Sequence, residues 1–133
     1  MEIILAALNA APWRNQVVVS IEPSALRVSP RQANGVALIF NELATNSVKY
    51  AHLDSRPVMI RVELVATEGF VTICYRDNGP GFATDVLENK RSNIGLKLIR
   101  DMVATTLVGT IELENDDGAK TTIRLQPEKE SRT

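Results

Sequence analysis

The 133-residue chain has a single cysteine, Cys74, and a single histidine, His52, and its charges nearly cancel, 15 Lys and Arg against 16 Asp and Glu. One cysteine excludes an internal disulfide and fits a reducing compartment, so a cytoplasmic location is expected. Cys74 lies in an apolar run and is expected to be a buried packing residue, not a nucleophile. A net charge of −1 leaves no basic surface to advertise nucleic acid or an anionic membrane. No apolar run is long enough to span a bilayer. The opening MEIILAALNAAP is too short, lacks a basic n-region and carries Glu2, so it reads as a helix end broken by Pro12. Repeats and low-complexity segments are absent too. What remains is an ordinary globular composition, long enough for one domain with a real core.

The chain is organised around SPRQANGVALIFNELATNSVKYA, Ser29 to Ala51. Ser29 can cap a helix, Pro30 suits its first position, and Gln32 completes a capping box. Ala33, Ala37, Phe40, Ala44, Ser47 and Ala51 recur at helical spacing and form a face small enough to lie close on a sheet. Val36, Ile39, Leu43 and Val48 widen that face. The opposite stripe carries Glu42, Asn46 and Lys49, an anion, an amide and a cation. Polar groups set into a largely buried helix need partners, either in the protein or in a bound ligand. The ligand these groups suggest is a magnesium nucleotide.

Around this helix the pattern alternates between strand and helix periods. Val17, Val19 and Ile21 predict a strand closed by Pro23. After the loop HLDSRP, alternation from Val58 to Leu64 and from Val71 to Tyr75 predicts an antiparallel hairpin turning at Thr67-Glu68-Gly69. Asp77 to Phe82, DNGPGF, and a polar stretch to Asn93 follow. Leu96, Ile99, Met102 and Val103 then mark a second helix, from near Ile94 to about Thr105-Thr106. Ile111 and Leu113, the turn Asp116-Asp117-Gly118, and Ile123 and Leu125 close the chain as a hairpin. The order implies an α+β fold: a two-layer sandwich whose mixed, mainly antiparallel sheet carries its helices on one face. Residues 13–127 would form that domain. Residues 1–12 read as the remnant of a connecting helix or linker, and 128–133 as a frayed tail.

Several residues could carry chemistry. Asp77 is acceptor-only when ionised and would take a hydrogen bond from the exocyclic amine of adenine, while guanine would present acceptor to acceptor. Gly79 and Gly81 would let backbone approach a planar ring; an acidic turn is the plainer alternative. Asn46 offers one neutral oxygen, enough for Mg²⁺, which keeps waters and is held mostly by substrate phosphates. Lys49, one turn on, is within reach of phosphate oxygens. Glu42 could deprotonate a hydroxyl or water, or steer the Asn46 amide and metal-bound waters. Phe82 to Asn93 is long for a structureless connection and would serve as a lid. Ser92-Asn93 can cap the helix behind it, whose N–H groups near Ile94, Gly95 and Leu96 would face a phosphate.

Together and in this order, these pieces resemble the Bergerat-fold (GHKL) ATPases, the superfamily of histidine kinases, DNA gyrase, heat-shock chaperone and mismatch-repair ATPases. NELATNSVKYA is similar to the family's N box, DNGPGF to its G1 box, NIGLKLI to its G2 box, and GAKTTIRL to its last adenine-side motif. The resemblance spans about Val17 to Pro127. It is strongest to the catalytic ATP-binding domains of bacterial sensor histidine kinases, the HWE-like subclass in particular. It implies a Bergerat sandwich with an ATP lid, and makes Asn46 the magnesium ligand and Lys49 a phosphate contact. Asp77 becomes the adenine reader between Gly79 and Gly81, Gly95 lies under the phosphates, and Thr121 assists at adenine through water. Two positions depart from the pattern. Asn93 stands where the lid helix usually has a first glycine. Lys120 stands where a glycine is common, which leaves the choice between Thr121 and Thr122 open.

The resemblance further implies ATP and Mg²⁺ as ligands, with transfer of the γ-phosphoryl group to a histidine on a separate dimerisation and phosphotransfer domain, and through it to a response regulator. This chain supplies no such histidine: His52 follows the N-box helix and reads as a surface loop residue. The domain alone is expected to be monomeric, without nucleic-acid or direct membrane contact. Three alternatives stand beside this one. They are a serine kinase of the anti-sigma-factor type, a hydrolytic ATPase with Glu42 as base, and an interaction module that binds no nucleotide.

Overall fold

The structure, a computed structural model, describes residues 17–21, 28–51, 58–67, 69–88 and 94–127, with 17–21, 48–51, 66–67 and 94 described in backbone only. The expectations for 1–12, for His52, for the Ser92-Asn93 cap and for 128–133 lie outside those residues.

Five strands form one sheet in the order β1-β2-β3-β5-β4. These are β1 (Val17–Ile21), β2 (Val58–Thr67), β3 (Phe70–Asp77), β4 (Thr110–Asn115) and β5 (Ala119–Leu125). β1 runs parallel to β2, from Val17 opposite Val58 to Ile21 opposite Val62. A parallel neighbour needs a long crossover, and helix α1 (Pro30–Ala51) lies between the two strands in sequence. The other pairings are antiparallel, so the sheet is mixed and mainly antiparallel as the element order implies. Helix α3 (Ile94–Thr105) begins and ends where its spacing predicts. The polar stretch before it also holds a single helical turn, α2 (Thr84–Leu87), which has too few residues to show a period.

Alternation sorts every long strand. Val58, Ile60, Val62 and Leu64 of β2, Val71, Ile73 and Tyr75 of β3, and Ile123 and Leu125 of β5 are buried on one face. That face meets Val36, Ile39, Phe40, Leu43 and Ala44 of α1 and Leu96, Ile99 and Val103 of α3. Met59, Arg61 and Val65 point the other way and are exposed. Cys74 has this outward parity, opposite Glu63 and Thr122, and is half-buried. The core position expected for it is thus corrected: Ile73 and Tyr75 take the inward places and leave the residue between them outside.

The start of α1 is set by the capping box. The Ser29 hydroxyl accepts from the Gln32 N–H at 3.1 Å, and the Gln32 side-chain oxygen accepts from the Ser29 N–H at 3.2 Å. Such a cap contributes about 1 kcal/mol. The Gln32 amide also donates to the Gln126 carbonyl at 2.8 Å, tying the helix start to the residue after β5. Along the described part of α1 the exposed positions are Pro30, Arg31, Asn34, Leu38, Asn41 and Thr45. The buried arc is therefore wider than a narrow face, and Glu42 and Asn46 lie half-buried at its margin, not opposite it.

Candidate functional site

β3 ends at Asp77 beside the start of β5 at Ala119, with Tyr75 opposite Thr121 in register. The second half of α1 covers these two strand ends. Between them lies a pocket with about 380 Å³ of open space. Leu43, Asn46 and Ser47 of α1 line it, with Tyr75 and Asp77 of β3, the Gly79-to-Phe82 loop, and Ala119 and Thr121 of β5. Asn46, Asp77, Gly79, Gly81 and Thr121 therefore meet in one place, although 75 residues of sequence separate the first from the last.

The Asp77 carboxylate is held by three donors. Its Oδ1 accepts from the Gly79 N–H at 2.9 Å and the Ala119 N–H at 3.1 Å. Its Oδ2 accepts from the Ser47 hydroxyl at 2.6 Å. A carboxylate offers about four acceptor positions, so one position on Oδ2 remains for a donor from outside. Behind it the Ser47 and Tyr75 hydroxyls lie 2.9 Å apart. Burial pushes the Tyr75 hydroxyl well above the usual phenol range, and the nearby Asp77 carboxylate adds to the rise. Tyr75 packs on Phe40 with ring centroids 5.8 Å apart.

Thr121 is 1% exposed, and its hydroxyl is the buried side-chain atom without a partner among the described residues. A buried orphan hydroxyl is costly unless a ligand or water completes it. Thr122, by strand parity, lies on the outer face opposite Cys74, so of the two threonines only Thr121 reaches the pocket. Lys120 also points outward, where its ammonium meets Glu114 at 3.3 Å.

Two glycines are required here by backbone. Gly81 has φ +87°, and a Cβ there would come within 2.7 Å of the Asn115 side-chain oxygen. Gly118, at φ +134°, packs against the Asp77 carbonyl. The β4–β5 turn therefore presses on the Asp77 loop. Arg76 pairs with Asp116 at 2.7 Å and holds the Asp116 carboxyl below its usual range. Asn115 accepts from the Phe82 N–H at 2.7 Å and donates to the Phe82 carbonyl at 2.9 Å.

Other predicted site residues fall elsewhere. Glu42 is half-buried one turn before Asn46 and is not part of the pocket lining. Gly95 and Leu96 open α3 and do not line it either; the Leu96 side chain is in the core. The side chains of Lys49 and Ile94 lie outside the described residues. Among the described residues no cluster of three His, Cys, Asp or Glu could hold a metal, and no helix is long and apolar enough to cross a membrane.

The family model described as "Histidine kinase-, DNA gyrase B-, and HSP90-like ATPase" matches residues 31–131. Blue-light-activated histidine kinase 1 of Erythrobacter litoralis is 31% identical over 104 residues, covering 76% of this chain and 28% of that protein. The chain thus spans little more than a quarter of the curated relative it matches. Among solved structures, the histidine kinase domain from the Erythrobacter litoralis EL346 blue-light activated histidine kinase superposes with a TM-score of 0.75 at 19% identity, over 92% of this chain and 57% of that one. The ATP binding domain of PrrB from Mycobacterium tuberculosis gives 0.68 at 24%, over 96% and 90%. At these identities the structural likeness is one of fold. The family match covers most of the chain, including the helix, loop and strand that build the pocket: the chain belongs to the histidine kinase-, DNA gyrase B- and HSP90-like ATPase family.

Proposed function

We propose that this chain is the catalytic ATP-binding domain of a histidine kinase, reading adenine with Asp77 and presenting the γ-phosphate to a histidine on another domain. One observation carries the proposal. The open acceptor position on Asp77 Oδ2 shares a pocket with the partnerless Thr121 hydroxyl and with Asn46. An adenine edge offers an amine donor and a ring-nitrogen acceptor, and Asp77 and Thr121, directly or through water, offer their complements.

Mg²⁺ fits this donor set. A pocket amide oxygen, with no acidic cluster among the described residues, suits a cation held chiefly by phosphate oxygens. Asn46 would hold it, and when bound it would neutralise charge on the triphosphate. Lys49 and the backbone N–H groups at Ile94 and Gly95 are proposed to hold phosphate oxygens from α1 and from the start of α3. A partner imidazole nitrogen attacks the γ-phosphorus, a nitrogen–phosphorus bond forms, and the bond to the bridging oxygen breaks to release ADP. This asks mostly for positioning and charge neutralisation. Phosphate would pass from that histidine to a response regulator. That the relatives described above are histidine kinases supports this activity over the others of the family.

Calorimetric titration with non-hydrolysable ATP and GTP analogues tests this. Wild type should favour the adenine analogue by about tenfold or more, and Asp77→Asn should abolish most of that preference. Equal binding of both analogues, or of neither, would refute the assignment.

A further inference from the structure

Ser47 has one hydroxyl hydrogen and two polar neighbours, Asp77 Oδ2 at 2.6 Å and the Tyr75 hydroxyl at 2.9 Å. A carboxylate can only accept, so Ser47 gives its hydrogen to Asp77. Tyr75 must then donate to Ser47. The chain of donation runs one way, from Tyr75 through Ser47 to Asp77. Ser47 is 5% exposed and Tyr75 2%, so neither hydroxyl can turn to bulk water for another partner. Burial also keeps the Tyr75 proton in place.

The two carboxylate oxygens are thereby made unequal. Oδ1 is taken by two backbone N–H groups, from Gly79 and Ala119. Oδ2 has one position filled by Ser47 and one left for the pocket. We infer that Ser47, backed by Tyr75, is a specificity-determining positioning residue: it fixes the carboxylate plane and leaves one acceptor position that selects a purine bearing an exocyclic amine. Neither residue need touch the base. Ser47 is the only one of the three donors that holds Oδ2 itself, the oxygen that faces the pocket, whereas Gly79 and Ala119 both act on Oδ1. This rests on the adenine assignment of the preceding section.

The test compares ADP with purine riboside diphosphate, which lacks only the exocyclic amine, by calorimetry on the intact chain. Diphosphates exclude turnover. Wild type should prefer ADP by about tenfold or more, the range of a charge-assisted hydrogen bond. Ser47→Ala should cut that preference by about fivefold through weaker ADP binding, with purine riboside diphosphate binding nearly unchanged. Tyr75→Phe keeps the Ser47–Asp77 bond and should cut it by less, about twofold, and it supplies the comparison if Ser47→Ala fails to fold. Ser47→Thr, which retains the hydroxyl, should restore the ratio. A merely structural Ser47 would lower affinity for both ligands alike. A wild-type preference left intact in both Ser47→Ala and Tyr75→Phe overturns the role given to Ser47 while sparing the adenine assignment. A wild type that does not distinguish the two ligands overturns both.

Discussion

The residues that make the pocket differ in how openly the sequence declares them. Asp77 and Gly79 are legible because each carries its role in its own chemistry, a carboxylate at a strand end and a residue suited to a tight loop. Ser47 and Tyr75 are not. In sequence Ser47 is one more small residue on a helix face, and Tyr75 one more inward strand position. Their hydroxyls meet only through folding, across 28 residues for Ser47 and Tyr75 and 30 for Ser47 and Asp77. The Tyr75 phenol makes a prediction at this scale. Its native pKa is raised, so the unfolded chain loses the proton near pH 10, about the ordinary phenol value, while the native chain retains it. The stabilisation is therefore fully present below about pH 10 and is lost as pH climbs from there towards the native pKa. Denaturation midpoints of wild type and Tyr75→Phe, compared from about pH 8 to 11, should diverge above about pH 10. There wild type should lose up to about 1.4 kcal/mol per pH unit relative to the variant. Parallel profiles would mean that Tyr75 ionises as freely in the native state as in the unfolded chain.

At the scale of elements, helix periodicity and the capping box locate α1 and α3, and alternation locates the hairpins, because each is a local pattern with a fixed period. Parity also decides between Thr121 and Thr122 once Ile123 and Leu125 are known to face inward. What local pattern cannot supply is the pressure of one turn on another. The β4–β5 turn carries no period, yet Gly118 packs on Asp77, Asp116 holds Arg76, and Asn115 pairs with the Phe82 backbone as a neighbouring strand would. Phe82 and Val86 in turn pack against the core, so the proposed lid is anchored at its first residues. Asn115→Ala removes both bonds to Phe82 without substituting any residue that lines the pocket. Amide exchange at Phe82 should quicken by about tenfold, the loss of roughly one net hydrogen bond, while the centre of β3 stays protected. Unchanged exchange at Phe82 would show that the packing of Phe82 and Val86 alone fixes the loop.

Across the whole molecule, the sheet and α1 bring binding groups to one pocket but offer a metal very little by themselves. Asn46 is one neutral oxygen, and the described residues contain no acidic cluster to assist it. An ion such as Mg²⁺ dehydrates reluctantly and needs several oxygen ligands, so most of them must come from the nucleotide. Binding of metal and nucleotide should therefore be linked: each strengthens the other, and the metal alone does nothing. A ligand at a hundred times its Kd stabilises a fold by about 2.7 kcal/mol, which for a domain of this size raises Tm by about 10 °C. Thermal unfolding of the chain should show no shift with Mg²⁺ alone and a small one with ADP in chelator. With ADP and Mg²⁺ together the shift should approach the full value. Asn46→Asp should keep the apo Tm within about 2 °C, since the side chain is half-buried at the pocket margin, but change how much Mg²⁺ adds. A Tm shift by Mg²⁺ without nucleotide would place a metal site elsewhere in the chain. A shift by ADP that Mg²⁺ leaves unaltered would remove Asn46 from the metal and leave it only a wall of the pocket.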